Sequence, residues 1–261
     1  MPNPHGVFIW YELLTSDPQA AASFYGAVLG WKAKVPEIPG VPETGYRLFS
    51  TGETEVAGLM ALPPGAAEQG MGPGWLGYVG VEDVDAAAAA ILAAGGAQHM
   101  PPTDIPGVGR FAFLADPQGV PFYVMRGASP QASTAFDRTR PGHCHWNELT
   151  APDPVAALAF YGKQFGWERQ GAMPMGSLGE YQFIALQGKV LGAIMPKLPD
   201  SPRAAWNFYF GVADIDAAAK AVTGAGGTIH HGPEEVPGEL FIIVGSDPQG
   251  AAFGLVGPRR A

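Results

Sequence analysis

The sequence is poor in cysteine and in positive charge. Lys and Arg number 15 against 24 Asp and Glu, which gives a net charge of −9 over 261 residues. A nucleic-acid-binding surface needs a basic face that meets phosphate, so we expect no nucleic-acid partner. Cys144 has no second cysteine with which to form an intramolecular disulfide, which is typical of a reducing compartment.

The sequence also lacks the signals of membrane insertion and secretion. No apolar run approaches the length that crosses a bilayer, and no basic segment followed by an apolar one marks a signal peptide near residues 1–5. We therefore expect a cytoplasmic protein with no membrane partner. The hydrophobic fraction of 47% indicates a globular chain with room for two domains. For the oligomeric state, a monomer and a homodimer are both compatible with the sequence.

The most informative feature present is an internal duplication. Trp-Tyr-Glu-Leu at 10–13 returns as Trp-Asn-Glu-Leu at 146–149, a shift of 136 (146 − 10), and nearby Asp-Pro, Phe-Tyr and Gly-Trp pairs return with the same shift. Asp-Pro-Gln-Gly at 116–119 returns at 247–250, a shift of 131 (247 − 116). Two registers held across separated landmarks indicate a repeat, and the five-residue difference (136 − 131) indicates shortened loops.

Local patterns predict the same order of elements in each half. Alternating β-prone residues predict a strand over 7–14, and Asp17-Pro18 opens a helix that Gly30 ends. The Pro- and Gly-rich segments 36–42 and 63–74 predict loops. With the further candidate strands, each half contains the order β-α-β-β-β twice.

A strand before Asp-Pro, a helix with Phe-Tyr, a Leu-Gly-Trp end and a late Asp-Pro-Gln-Gly turn together resemble the glyoxalase / bleomycin-resistance / extradiol-dioxygenase superfamily, also called vicinal oxygen chelate proteins. The two-domain arrangement is similar to the tandem glyoxalase-like proteins of actinobacteria. The resemblance implies an α+β fold of two tandem glyoxalase-like domains, each of two βαβββ modules whose mixed sheet forms a cup. We place the domains at 1–128 and 141–261, with a polar linker at 129–140.

The resemblance also implies where a divalent metal would bind. In metal-dependent members, its ligands are His, Glu or Gln on the first strand of each module and Glu near the end of the last strands. The positions that correspond here hold other residue types: Trp10, Trp146, Leu76, Asn207, Tyr123 and Gly254. Trp, Leu and Tyr are not ordinary ligands for such ions, so we predict no cofactor and consider a divalent metal unfavoured.

A histidine pair offers a different set of metal ligands. His143 and His145 are two residues apart, so both would point to one face of a strand, opposite Trp146 and Glu148. That face should pack on helices or form an edge. We expect a structural or surface role for both histidines.

Glu12 and Glu148 are the candidate catalytic residues. Each lies two residues after its Trp and shares the strand face that should line the cup. Desolvation beside an indole would favour the protonated carboxyl, as a general acid or base requires. The alternative is a strand-end acid that bonds a neighbouring backbone group or an arginine.

Aromatic and methionine side chains on the same predicted face are candidates for binding a planar ligand. The candidate ligand-binding residues are Trp10, Trp146, Tyr46, Tyr181, Tyr123, Met60 and Met195. The sequence thus favours a small-molecule-binding protein with aromatic cups and replaced metal ligands. The alternative is a lyase, isomerase or oxygenase that uses Glu12 and Glu148 as acid–base groups or a divalent metal at atypical positions. A structural module with filled cups is a third hypothesis.

Overall fold

The computed structural model describes residues 3–36, 45–66, 68 and 70–260. Most of the predicted loop over 36–42 lies outside the described residues, and so does a part of the loop over 63–74. Within the described ranges, no helix is long and apolar enough to cross a membrane.

The elements follow the predicted order in both halves. In the first half they are β1 (Phe8–Thr15), α1 (Pro18–Leu29), β2 (Lys32–Lys34), β3 (Arg47–Thr51), β4 (Thr54–Ala61), β5 (Gly74–Gly80), α2 (Val84–Ala93), β6 (Ala97–Ile105), β7 (Gly109–Ala115) and β8 (Pro121–Gly127). In the second half they are β9 (Cys144–Ala151), α3 (Pro154–Phe165), β10 (Glu168–Pro174), β11 (Glu180–Leu186), β12 (Lys189–Pro196), β13 (Ala205–Gly211), α4 (Ile215–Gly224), β14 (Thr228–Val236), β15 (Leu240–Ser246) and β16 (Ala252–Gly257).

The described strands form two mixed sheets of eight strands each. Their orders are β2-β3-β4-β1-β5-β8-β7-β6 and β10-β11-β12-β9-β13-β16-β15-β14. The first strand of each module pairs in parallel with its last strand, as β1 does with β4 and β5 does with β8. The hairpins within each module are antiparallel. Each sheet therefore holds two βαβββ modules, which confirms the predicted α+β class.

Helix ends form where the sequence places them. The carboxylate of Asp17 accepts hydrogen bonds from the backbone N–H groups of Gln19 and Ala20, with Pro18 at the first helical position. Gly30 ends α1 in the left-handed conformation (φ 69°) that favours glycine. Asp153 and Gly166 repeat this arrangement in α3.

Two strands differ from the expectation. The three-residue strand β2 contains two exposed lysines and carries no alternating pattern, so the sequence did not indicate it. The sequence predicts a strand over 97–100, whereas β6 continues to Ile105 through two prolines. The register of β6 on β7 shifts on both sides of Met100, which lets the strand continue past residues that cannot donate a backbone hydrogen bond.

Contacts between Cα atoms divide the chain into two compact units that differ from the sequence halves. The first unit comprises Met1–Ile9, Leu76–Ser133 and Trp146–Asn207. The second unit comprises Trp10–Trp75, Thr134–His145 and Phe208–Ala261. Within the first unit α2 contacts α3, and within the second α1 contacts α4. Each unit therefore combines a module of one half with a module of the other.

A buried hydrogen-bond chain joins the two modules of the second unit. The indole of Trp75 donates to the hydroxyl of Tyr25 (2.9 Å), which donates to Oδ2 of Asp247 (3.2 Å). Oδ1 of Asp247 accepts the backbone N–H groups of Gln249 and Ala251 in the Asp-Pro-Gln-Gly turn. Burial raises the pKa of the Asp247 carboxyl above its ordinary value.

The first unit contains the same chain with its counterpart residues. Trp206 donates to the hydroxyl of Tyr161 (3.3 Å), and Tyr161 donates to Oδ2 of Asp116 (3.0 Å). The tyrosines of both Phe-Tyr landmarks and the aspartates of both turns are thus core residues, at most 3% exposed. The landmarks that reveal the repeat hold each unit together.

Candidate functional site

Three predicted site residues meet in the second unit, and we call Trp10, Glu12 and Tyr46 the Trp10 cluster. The indole N–H of Trp10 donates to the hydroxyl of Tyr46 (3.3 Å). The Tyr46 hydroxyl donates to Oε2 of Glu12 (3.1 Å). Trp10 and Tyr46 are half-buried and Glu12 is buried, at 3% exposed. The hydrogen bonds fix the orientation of the indole ring and the carboxylate together.

Sheet register explains why these side chains meet. Glu12 on β1 is opposite Gly58 on β4, and Gly58 is opposite Leu48 on β3. Stepping two residues from Glu12 and from Leu48 reaches Trp10 and Tyr46 on the same face. A Cβ at position 58 would overlap the Tyr46 hydroxyl and the Glu12 carboxylate, so glycine leaves room for the positions that these two side chains take here.

The first unit contains the Trp146 cluster, which is Trp146, Glu148 and Tyr181. Trp146 donates to the hydroxyl of Tyr181 (2.7 Å), and Tyr181 donates to Oε2 of Glu148 (2.6 Å). Glu148 is 9% exposed, and Trp146 and Tyr181 are half-buried. In both clusters a tyrosine hydroxyl donates to the carboxylate.

The two clusters differ in the residues beside them. Ala193 on β12 takes the place of Gly58 and pairs with Glu148, and Phe183 on β11 takes the place of Leu48. The rings of Phe183 and Trp146 meet edge to face at a centroid distance of 5.9 Å. The Trp146 cluster therefore has an aromatic neighbour where the Trp10 cluster has an aliphatic one.

The other three predicted ligand-binding residues, Met60, Met195 and Tyr123, are divided between the two units. Met60 on β4 pairs with Leu14 in the second unit, and Met195 on β12 pairs with Thr150 in the first. Met60 is half-buried, and Met195 is 6% exposed. Tyr123 belongs to the first unit, where its ring stacks on Tyr78 at 4.2 Å, and so it is not in the same unit as the Trp10 cluster.

The model of the Glyoxalase/Bleomycin resistance protein/Dioxygenase superfamily matches the chain twice, over residues 8–124 and 140–255. The chain belongs to this superfamily. The two matches cover most of the sequence, and each contains two of the βαβββ modules described above. The predicted tandem glyoxalase-like domains are confirmed.

Two curated members of the superfamily align with nearly the whole chain. The putative glyoxylase CFP32 of Mycobacterium tuberculosis (strain CDC 1551 / Oshkosh) is 34% identical over 250 residues, covering 95% of this chain and 94% of that protein. The anthracycline biosynthesis protein DnrV of Streptomyces peucetius is 30% identical over 269 residues, covering 96% of this chain and 93% of that protein.

Solved structures of superfamily enzymes share the fold. The Mn(II)-bound glyoxalase from Novosphingobium aromaticivorans gives a TM-score of 0.67 at 18% identity, covering 98% of this chain and 83% of that one. The 2,3-dioxygenase LapB from Pseudomonas sp. KL28 gives a TM-score of 0.67 at 13% identity, covering 100% of this chain and 94% of that one. At these identities the likeness establishes the architecture alone.

The side chains of the two clusters do not suit the divalent metal of metal-dependent superfamily members. Each cluster offers one carboxylate, already bonded by a tyrosine, beside an indole N–H that can only donate. Among the described residues, no three His, Cys, Asp or Glu side chains group together as metal ligands would. The absence of a cofactor stays a prediction, and we derive no chemistry through a metal.

The histidine pair bonds the backbone of its own segment. The ring of His143 bonds the carbonyl oxygen of Thr134 at 2.6 Å, and the ring of His145 bonds that of Arg140 at 2.9 Å. Burial lowers the pKa of both imidazoles below the ordinary value, which favours their neutral form. Each histidine thus has a structural partner in the residues that connect the two halves.

Sequence reasoning overlooked the partnership between the two kinds of landmark. The Phe-Tyr pair and the Asp-Pro-Gln-Gly turn each occur once per half, and Tyr25 and Tyr161 bond the turn aspartate of the opposite half. Their joint recurrence was the available signal. It did not indicate contact, because nothing local to either motif shows which module it packs against.

Proposed function

We propose that the two clusters are parts of binding sites for a planar aromatic small molecule, held without a metal. The observation that carries the proposal is the same Trp-to-Tyr-to-Glu hydrogen-bond chain in each half. In both copies the indole is half-buried and fixed by its N–H bond. A pre-oriented indole binds a flat ring with little loss of conformational entropy.

The residues beside the indoles suit the same kind of ligand. Trp, Tyr and Met supply adaptable apolar surface, and a single carboxylate with a tyrosine hydroxyl supplies directional polar contacts. Two superfamily relatives are named for anthracycline biosynthesis. Anthracyclines are planar polycyclic quinones, a class that fits an aromatic site, and this likeness supports the choice of an anthraquinone as probe.

We expect 2-ethylanthraquinone to bind the protein and to quench its tryptophan fluorescence. Calorimetric titration should give two molecules per chain. Trp146→Ala should remove one site, and the Trp10→Ala, Trp146→Ala double variant should weaken binding about tenfold or more, because the stacking surface is lost. Trp10→Phe and Trp146→Phe keep a ring and should retain most of the affinity. Binding by the double alanine variant at wild-type strength would contradict the proposal.

An acid–base enzyme is the second candidate function. It is favoured by the carboxylate and phenol within hydrogen-bond distance of each other in both clusters, at 3.1 Å and 2.6 Å. Such a pair can hold or move a proton beside a bound molecule. In this alternative the protein is a lyase, isomerase or oxygenase. Elemental analysis of the purified protein tests the version with a divalent metal at atypical positions.

The Glu12→Gln, Glu148→Gln double variant separates the two candidates. For a binding protein we expect this variant to bind 2-ethylanthraquinone within about threefold of wild type, since Gln keeps the shape and accepts the Tyr46 and Tyr181 hydrogen bonds. An enzyme would convert a substrate that mass spectrometry detects, and the variant would lose that turnover. Ligand conversion by wild type that the variant lacks would replace the first proposal by the second.

A further inference from the structure

Asn207 places an amide on a strand face where the first half has an aliphatic residue. Its register counterpart is Leu76 (207 − 76 = 131, the shift of the later landmarks). Its neighbours on β13, Trp206 and Phe208, are 7% and 0% exposed and pack in the core. Side chains alternate along a strand, so Asn207 points to the opposite face.

The Asn207 amide oxygen is buried without a hydrogen-bond partner among the residues that the structure describes. Buried amide oxygens are nearly always bonded, because desolvation without a compensating hydrogen bond is unfavourable. A site that keeps such a group gains when a ligand brings the missing donor. It also rejects analogues that lack the donor.

A contact between two neighbouring strands places Asn207 near the Trp146 cluster. The Thr150 hydroxyl on β9 hydrogen-bonds both the carbonyl and the N–H of Ala205 on β13, at 3.3 Å each. At the other end of this strand pair Gly211 bonds His143, so the strands run antiparallel. Two residues back from Thr150 is Glu148, and two residues on from Ala205 is Asn207.

The strands β9 and β13 are adjacent in the sheet, and side-chain alternation places Glu148 and Asn207 on one face close to this contact, both within the first unit. Side chains on one face of adjacent strands lie about 5 to 8 Å apart when they are directly or diagonally opposed. Glu148 already accepts the Tyr181 hydroxyl. The indole of Trp146 shares this face, so a ring stacked on it would bring its substituents toward the amide.

We propose that Asn207 makes the Trp146 cluster selective for a planar aromatic ligand that carries a hydrogen-bond donor such as a hydroxyl. This inference rests on the proposed binding function and deepens it for the second half. The first half has no amide at the corresponding position, Leu76. The two halves then differ in ligand preference, which gives the duplication a functional consequence.

The test uses two probes of nearly equal shape, 2-(hydroxymethyl)anthraquinone and 2-ethylanthraquinone, which differ by a hydroxyl in place of a methyl group. The protein carries Trp10→Ala so that binding reports the Trp146 cluster. We expect about tenfold tighter binding of the hydroxymethyl probe, the effect of one hydrogen bond. Asn207→Leu, which copies the residue of the first half, should abolish this preference by weakening the binding of the hydroxymethyl probe about tenfold.

Asn207→Ala repeats the measurement with a smaller side chain, so a packing defect in one variant does not decide the result. Because the amide oxygen has no hydrogen-bond partner to lose among the described residues, neither variant should lower the melting temperature; a drop in both would show a structural amide and overturn the inference. A preference that survives both substitutions overturns the inference alone and leaves the proposed function standing. If neither probe binds the Trp10→Ala protein, both the inference and the proposed function are overturned.

Discussion

Replacing Asp247 by alanine is expected to lower the free energy of unfolding by about 3 kcal/mol or more. Its carboxylate accepts two backbone N–H groups of the turn and the hydroxyl of Tyr25, all in a site that is 3% exposed. Alanine leaves these three donors without their acceptor. Burial raises the pKa of this carboxyl, which shows that burying the charged form is unfavourable. Removing the carboxylate also removes that cost, but this offsets only a part of the loss.

Asp116 has the same environment in the first unit, so Asp116→Ala should give a similar loss. The matched control is Asp83→Ala, which removes an exposed carboxylate that accepts one N–H, from Ala86, and should lower the free energy of unfolding by about 1 kcal/mol. Urea unfolding followed by circular dichroism measures all three. A loss in Asp247→Ala no larger than in the control would show that the buried chain does not stabilise its unit.

Stability is expected to fall steeply above pH 10. Tyr25 and Tyr161 are 0% exposed, and the pKa of both phenols lies well above the ordinary value. The main cause is burial, and the second is the negative charge of the nearby Asp247 and Asp116 carboxylates. The unfolded chain loses these protons near pH 10 while the folded chain keeps them. The stabilisation is thus complete below pH 10, and the free energy of unfolding then falls by about 1.4 kcal/mol per pH unit for each tyrosine.

The measurement is urea unfolding at intervals from pH 9 to pH 11, together with tyrosinate absorbance. Tyr25→Phe and Tyr161→Phe should each flatten the slope by about 1.4 kcal/mol per pH unit, even though each variant is less stable at neutral pH. In the wild-type protein two tyrosines should ionise only as the chain unfolds. Ionisation of every tyrosine in the folded protein near pH 10 would show that these phenols are not protected.

These buried chains change the meaning of the repeated landmarks. The Phe-Tyr pair and the Asp-Pro-Gln-Gly turn identify the superfamily by sequence, yet their contribution here is to dock a module of one half on a module of the other. The residues proposed to bind ligand belong to a different part of the repeat, the Trp-x-Glu segment of the first strand. The residues that pack the modules together are therefore different from those that we propose to bind ligand.

Much of the fold was predictable because its signals are local. Asp-Pro and Gly mark the ends of α1 and α3, and alternation marks β1 and β9. The strand β2 was not predictable, since three residues with two exposed lysines carry no period. The extension of β6 through two prolines was missed because it depends on register shifts against β7.

The candidate site likewise has one part that the sequence predicts and another that depends on strand register. That Trp10 shares a strand face with Glu12 follows from a two-residue spacing, and the sequence alone was enough to establish it. Glu12 receives its hydrogen bond from Tyr46, 34 residues away. That partner is chosen by the register of β3 on β4, which the spacing within one strand does not contain.

The sequence alone was sufficient for the duplication and the superfamily, because each is a matter of residue type at a fixed spacing. Only the tertiary structure decided that each compact unit takes one module from each half and that Tyr25 bonds an aspartate 222 residues away. It also decided that the amide oxygen of Asn207 is buried without a hydrogen-bond partner among the described residues. The physical reason is that local periodicity sets which way a side chain points. Contact between distant segments depends on how sheets pair and modules pack.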